Sequence, residues 1–175
     1  GRVGKQKIED TGPLNRERMV TCDDDFAERA KGFIKQATDD DTPFFAWVNF
    51  THMHLITHTK PESLGQAGRW QSPYHDTMID HDALVGSLLD KLDELGIADN
   101  TIVIYTTDNG AEVMSWPDGG TTMFRGEKNT NWEGGYRVPT MIKWPGVIKP
   151  GTVINDIGAH EDMFLTLVNA AGGKD

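Results

Sequence analysis

Thr101-Ile102-Val103-Ile104-Tyr105-Thr106-Thr107-Asp108-Asn109-Gly110 decides how this chain folds. Uncharged and rich in strand formers, Thr101 to Thr107 is too short for most helices and stops at a turn. Upstream, the stretch from about Tyr74 to Leu95 carries Val85, Leu88, Leu92 and Leu95 on one stripe, so it reads as a helix that Gly96 ends. Before it, Phe44-Phe45-Ala46-Trp47-Val48-Asn49-Phe50 reads as a second buried strand. Strand, long helix, strand is the pattern of a crossover unit, so the expectation is an α/β fold with a mainly parallel sheet between helices.

Working outward, Phe26, Ala30, Phe33, Ile34 and Ala37 recur at helical spacing, and Asp39-Asp40-Asp41-Thr42-Pro43 stops that helix. Thr21 or Asp23 is the expected N-cap acceptor, and Asp23, Asp24 and Asp25 complement the positive end. On the other side, Thr140-Met141-Ile142-Lys143-Trp144 reads as a third strand stopped by Pro145-Gly146. A last helix is expected from about Glu161 to Ala171, carrying Phe164, Leu167 and Val168. Residues 1–20 lack a clear period, so the reading is an irregular N-terminal segment followed by one α/β domain over residues 21–175.

The 175 residues suffice to bury a substantial core. Twenty-seven acidic against 17 basic residues give a formal charge of -10, which argues against a nucleic-acid partner. An anionic substrate must then be met by a local cation cluster or a metal. Cys22 is the only cysteine, so no intramolecular disulfide forms. No apolar run approaches the ~18 residues of a membrane span, and Gly1 to Lys5 lack a signal-peptide core; no membrane partner is expected and the compartment stays open.

Ligands of open α/β sheets sit beyond the carboxyl ends of strands. Asp108 and Asn109 fall there, and a carboxylate with an amide oxygen suits Ca²⁺ or Mg²⁺ better than zinc. Taken alone, Asp-Asn-Gly is a common turn. His52, His54 and His58 cluster after the earlier strand, and His52 and His54 share a side of any extended continuation. A histidine there can donate to an oxyanion or protonate a leaving group, although a loop role is the plainer reading. Arg125, Lys128 and Arg137 bracket Glu133-Gly134-Gly135, where glycines let backbone approach an anion. Tyr74, Trp116 and Trp132 offer an aromatic wall for an aryl or sugar group, or simple packing. Asp76, Asp80, His81 and Asp82 read as helix-dipole complements rather than a metal site. The sequon Asn49-Phe50-Thr51 is set aside because its strand is expected to be buried.

Four segments, in order, resemble the sulfatase family. Phe44 through His54 looks like its strand leading to a catalytic histidine, and Ile102 through Gly110 like the strand ending in two calcium ligands. Phe124-Arg125-Gly126-Glu127-Lys128 with Trp132-Glu133-Gly134-Gly135-Tyr136-Arg137-Val138-Pro139 is similar to its downstream motif, and Asp162 through Leu167 to the helix beyond. The resemblance implies part of an alkaline-phosphatase-like α/β/α sandwich and an arylsulfatase-type hydrolase of sulfate monoesters. It further implies Ca²⁺ in preference to Mg²⁺ held by Asp108 and Asn109, catalytic roles for His54 and Lys128, and substrate contacts from His52, His58 and Arg125.

The family's nucleophile is a formylglycine made within a Cys/Ser-x-Pro/Ala-x-Arg motif. Cys22 precedes Asp23, Asp24, Asp25 and Phe26 instead, and no other stretch supplies the motif. The expectation is therefore the C-terminal part of a sulfatase catalytic domain, inactive alone. Uncovered apolar surface is expected to drive self-association or binding of a complementing chain, and only the family suggests a periplasmic or extracellular setting. The alternatives are a metal-dependent phosphate or phosphonate ester hydrolase of the same superfamily, and a non-catalytic binding or assembly module.

Overall fold

The computed structural model describes residues 8–54, 58–117, 119, 120 and 122–173. Its elements in chain order are α1 (Arg16–Met19), α2 (Cys22–Asp39), α3 (Pro73–Glu94), β1 (Val103–Thr106), α4 (Glu133–Tyr136), β2 (Thr140–Lys143) and α5 (His160–Ala170), with short 3₁₀ turns at Pro61–Ser63 and Ala98–Asn100. The one-turn α1 lies inside the segment expected to be irregular, capped by the Asn15 side chain accepting from Arg18 N–H. Residues 1–7 of that segment lie outside the described residues.

α3 starts where its sequence asks. Ser72 accepts from Tyr74 N–H, Pro73 occupies the first turn with no N–H to waste, and Gly96 leaves the helix at φ +70°. α2 starts differently from expectation, since the Thr21 side chain caps nothing. Its three first-turn aspartates face other partners: Asp23 takes backbone N–H groups of Thr51 and His52, Asp24 takes Lys60, and Asp25 takes Arg29. Ala27, Ile34 and Ala37 are the buried stripe, whereas Phe26 and Phe33 stay exposed. α2 packs on α3, and Ile34, Leu92 and Ala98 form the core, flanked by Phe44, Leu95, Ile97 and Val103.

Two expectations about strands are corrected. Phe44 to Phe50 pairs with no strand among the described residues; Phe44, Val48 and Phe50 are half-buried while Phe45, Trp47 and Asn49 are exposed. Ala46 is exposed as well, so only Phe44 and the Val48–Phe50 end of the run keep one face toward the interior. Asn49 is thus not sequestered as its setting-aside assumed. The described sheet is also not parallel: β1 and β2 run antiparallel, with Val103 opposite Lys143 and Thr106 opposite Thr140. The chain returns from β1 to β2 through the site-bearing loops, which reverses its direction, and Thr106 and Thr140 hydroxyls meet at 3.1 Å across the pair. Helices against strands keep the fold in the α/β class.

Candidate active site

β1 ends at Thr106 and delivers Asp108 and Asn109 beyond its carboxyl end. From there two loops are stitched together. Gly110 N–H donates to Gly135 O at 2.9 Å, Lys128 N–H to Ala111 O at 3.0 Å, and Gly134 N–H to Arg125 O at 2.8 Å. Val113 N–H donates to Glu127 Oε2 at 2.6 Å, so a carboxylate clamps the same seam. Close approach demands glycine: a Cβ on Gly110 would lie less than 3.0 Å from the Gly134 carbonyl oxygen, and a Cβ on Gly134 would meet the Gly126 carbonyl as closely.

The seam puts the two kinds of expected site residue on neighbouring backbone. Asp108 is exposed, and its carboxylate makes no hydrogen bond or ion pair among the described residues. Asn109 ties its amide nitrogen to Gly110 O at 2.9 Å, which leaves its oxygen for a cation. Among the described residues no three His, Cys, Asp or Glu side chains converge as a metal shell. The chain therefore offers two hard oxygen donors, which fit a Ca²⁺ shell of 6–8 oxygens as one side of it.

Of the three cations bracketing the turn, Arg125 stacks over Trp132 at 3.9 Å. Arg137 stacks over Phe124 at 4.3 Å and pairs with Glu133 at 3.1 Å. Lys128 is half-buried, and its ammonium has no hydrogen bond or ion pair among the described residues. Arg125 likewise makes no ion pair among the described residues, and stacking leaves its N–H donors in the guanidinium plane, so of the three only Arg137 is neutralised by a carboxylate.

The histidines separate. His54 is exposed, with its N–H donating to Thr51 O at 2.9 Å, and its carbonyl lies 3.4 Å from Trp116 Nε1. Trp116 follows the Asp108-Asn109 turn, so one loop reaches both Lys128 and the backbone of His54. His52 does not share that side: its ring is 1% exposed and its Nδ1 sits 3.1 Å from Asp23 Oδ2, too bent for a hydrogen bond. The turn closed by His54 N–H breaks the extended run on which the shared side depended. His58 is half-buried. Trp116 pairs with Tyr74, ring centres 5.3 Å apart, so two of the three expected wall aromatics meet and Trp132 serves Arg125 instead.

Other polar groups of α3 hold structure. Asp76 accepts Gly65 and Ala67 N–H at 2.8 Å each, and these bonds draw its carboxyl below the ordinary value. Asp80 takes the Ser63 hydroxyl at 2.6 Å. His81 Nε2 lies 3.1 Å from the Tyr105 hydroxyl, and burial pushes its imidazole below the usual 6.5, with neighbouring His52 acting in the same direction. Sequence reasoning missed Asp23 and Glu127. Asp23 stood out only as a helix-end residue, and Glu127 only by its place between an arginine and a lysine.

Fold and site together define an α/β protein in which a turn carrying two hard oxygen donors and a lysine without an ion-pair partner among the described residues are stitched side by side. A Sulfatase family model matches residues 4–173. A steryl-sulfatase of Rattus norvegicus is 36% identical over 154 residues, 85% of this chain and 26% of that protein. Arylsulfatase A of Homo sapiens is 35% identical over 144 residues, 82% of this chain and 28% of that protein. The crystal structure of PsFucS1 sulfatase from Pseudoalteromonas sp. superposes with a TM-score of 0.87 at 33% identity, over 97% of this chain and 34% of that one. The chain belongs to the sulfatase family, with an alkaline-phosphatase-like fold. It spans between 26% and 34% of the lengths of these relatives.

Proposed function

We propose that this chain carries the calcium-facing and sulfate-facing part of a sulfuric ester hydrolase site and leaves the nucleophile to be supplied by a complementing segment. The observation that carries this reading is the seam between the two loops, which fixes an unpaired carboxylate and an unpaired ammonium on hydrogen-bonded backbone. Asp108 and Asn109 hold the metal from one side. Calcium, when bound, supplies Lewis-acid stabilisation of charge on the sulfuryl oxygens. Lys128 places a positive charge on a sulfate oxygen without meeting a competing carboxylate. His54 protonates the departing alcohol or donates to sulfate. The tilted Trp116–Tyr74 pair, one residue contact away from His54, gives the ring of that alcohol an apolar face.

Cys22 is not the nucleophile in this reading. It is buried at the start of α2, with its thiol against Met19 O and the Asp23 carboxylate, and its neighbours lack the formylglycine motif. Phe45, Trp47 and Phe164, at 66%, 79% and 72% exposure, form apolar surface for the complementing segment to cover. By itself the chain hydrolyses no sulfate ester.

The test is an NMR titration of the chain with calcium and then with inorganic sulfate. Expected are calcium-dependent shifts at Asp108 and Asn109, then sulfate shifts at Lys128 and His54. Sulfate shifts absent from Lys128, or unchanged in Lys128→Met, would overturn the assignment. Aryl sulfate turnover by the chain alone would overturn the missing-nucleophile part.

A further inference from the structure

We propose that Asp23 is a positioning residue for His54, acting through the backbone of Thr51 and His52. The inference rests on the sulfate-site reading for its purpose, but its geometry stands independently. The Asp23 side chain is fully buried, and three contacts from the loop converge on it: Thr51 N–H at 2.8 and 3.0 Å to its two oxygens, and His52 N–H at 3.0 Å to Oδ2. The His52 ring closes over the same carboxylate at 3.1 Å. A buried carboxylate is tolerated only where donors surround it, so its location dictates where those two N–H groups lie.

The consequence reaches His54 within two residues. Its N–H returns to Thr51 O at 2.9 Å, so the turn is pinned at Thr51 and projects His54 outward while His52 stays inside. Asp23 lies in the first turn of α2, whose buried stripe begins at Ala27 one turn later and reaches the Ile34–Leu92–Ala98 core about three turns later. The carboxylate therefore fixes the loop from a rigid element and lies outside the Ile34–Leu92–Ala98 cluster. His81 and Tyr105 flank the cluster and connect it to α3 and β1, the strand that delivers Asp108. Outer residues that hold a reacting side chain act in this way, through geometry rather than contact with the substrate.

The experiment compares the wild-type chain with Asp23→Asn and Asp23→Ala by NMR, with calcium and inorganic sulfate as the probes. Asn keeps one oxygen for the N–H groups; Ala keeps none. In Asp23→Ala, the Thr51 and His52 amide protons are expected to move upfield and exchange about tenfold faster, and the amplitude of the sulfate-induced shift at His54 at saturation to fall about tenfold. The response read at Lys128 and the amide shifts of β1 should stay near wild type, and Asp23→Asn should restore most of the His54 response. A merely structural role predicts that His54 and Lys128 lose response in parallel with the core; that result overturns the proposal. Unchanged Thr51 and His52 amides in both variants overturn it as well. Should Asp23→Ala not fold, the same amide and sulfate readouts in Asp23→Asn decide. Sulfate silence at both His54 and Lys128 in the wild type refutes the sulfate reading, while amides that still respond to Asp23 uphold the anchor.

Discussion

Gly110→Ala tests the seam that makes the site. The new Cβ would sit less than 3.0 Å from the Gly134 carbonyl oxygen, a separation that ordinary contacts do not reach. Its neighbours there are backbone atoms of Gly134 and Gly135, so no flexible side chain can swing away. The turn at Gly134 must move, which breaks Gly110 N–H to Gly135 O and Gly134 N–H to Arg125 O. Two lost backbone bonds at about 1 kcal/mol each, with overpacking strain of about 1–3 kcal/mol, give a destabilisation of about 3–5 kcal/mol. Urea denaturation followed by tryptophan fluorescence and circular dichroism measures it. Gly32→Ala is the control, because Gly32 is exposed within α2 and its Cβ would meet nothing within 4 Å. That change should stabilise by about 0.5–1 kcal/mol through helix propensity. Gly110→Ala within about 1 kcal/mol of wild type would refute the claim that the loops are locked there.

Glu127→Ala removes the acceptor of Val113 N–H at 2.6 Å and Met114 N–H at 3.3 Å; a loss of about 1.5–3 kcal/mol is expected in the same denaturation assay, with Glu127→Gln intermediate. His81, held below 6.5 by burial first, is protonated in the unfolded chain before the folded one as pH falls. Its contribution to stability is therefore full above about 6.5 and is lost below it, and His81→Gln should flatten that part of the stability–pH curve. Asp76, lowered by its bonds to Ala67 and Gly65 N–H, behaves as the acid counterpart: its contribution is full above 3.8 and lost as pH falls through its lower folded value, a loss that Asp76→Asn should remove from the acid limb. Trp116→Ala should weaken NMR-detected binding of aryl or sugar sulfates about tenfold while leaving inorganic sulfate unaffected; equal losses for both would show that the ring pair supports the loop and not the leaving group.

The elements were legible where period and punctuation agree. The helix expected from about Tyr74 to Leu95 with Gly96 as its stop is α3, Pro73–Glu94, in the structure. Phe44 to Phe50 defeated the reading because an unbroken apolar run hides which residues alternate inward, and only the core at Phe44 shows the face. Asp23 was misplaced for a different reason. Its partners, Thr51 and His52, are 28 and 29 residues away, and no local pattern records such a pairing. Arg125 and Lys128 look equivalent in sequence, but Trp132 engages one and leaves the other, which is a matter of three-dimensional proximity.

On the proposed reading, a chain of charge -10 faces an anion by keeping its local charges apart. Arg137 is engaged by a ring and by Glu133, whereas Arg125 stacks on Trp132 and keeps its charge. Lys128 is left with an unneutralised charge because the carboxylate nearest to it in sequence, Glu127, is turned to the Val113 and Met114 N–H groups. Asp108 in turn avoids both arginines and remains available to a cation. Opposite charges that would cancel if paired are thus kept apart by backbone hydrogen bonds, and in the proposed site that separation would let one loop pair present a carboxylate to a metal and an ammonium to a sulfate ester. Glu127 also clamps the loop that carries Lys128, so Glu127→Ala should weaken sulfate binding at Lys128 through the lost Val113 and Met114 bonds; unchanged or tighter sulfate binding would show that only its charge matters there.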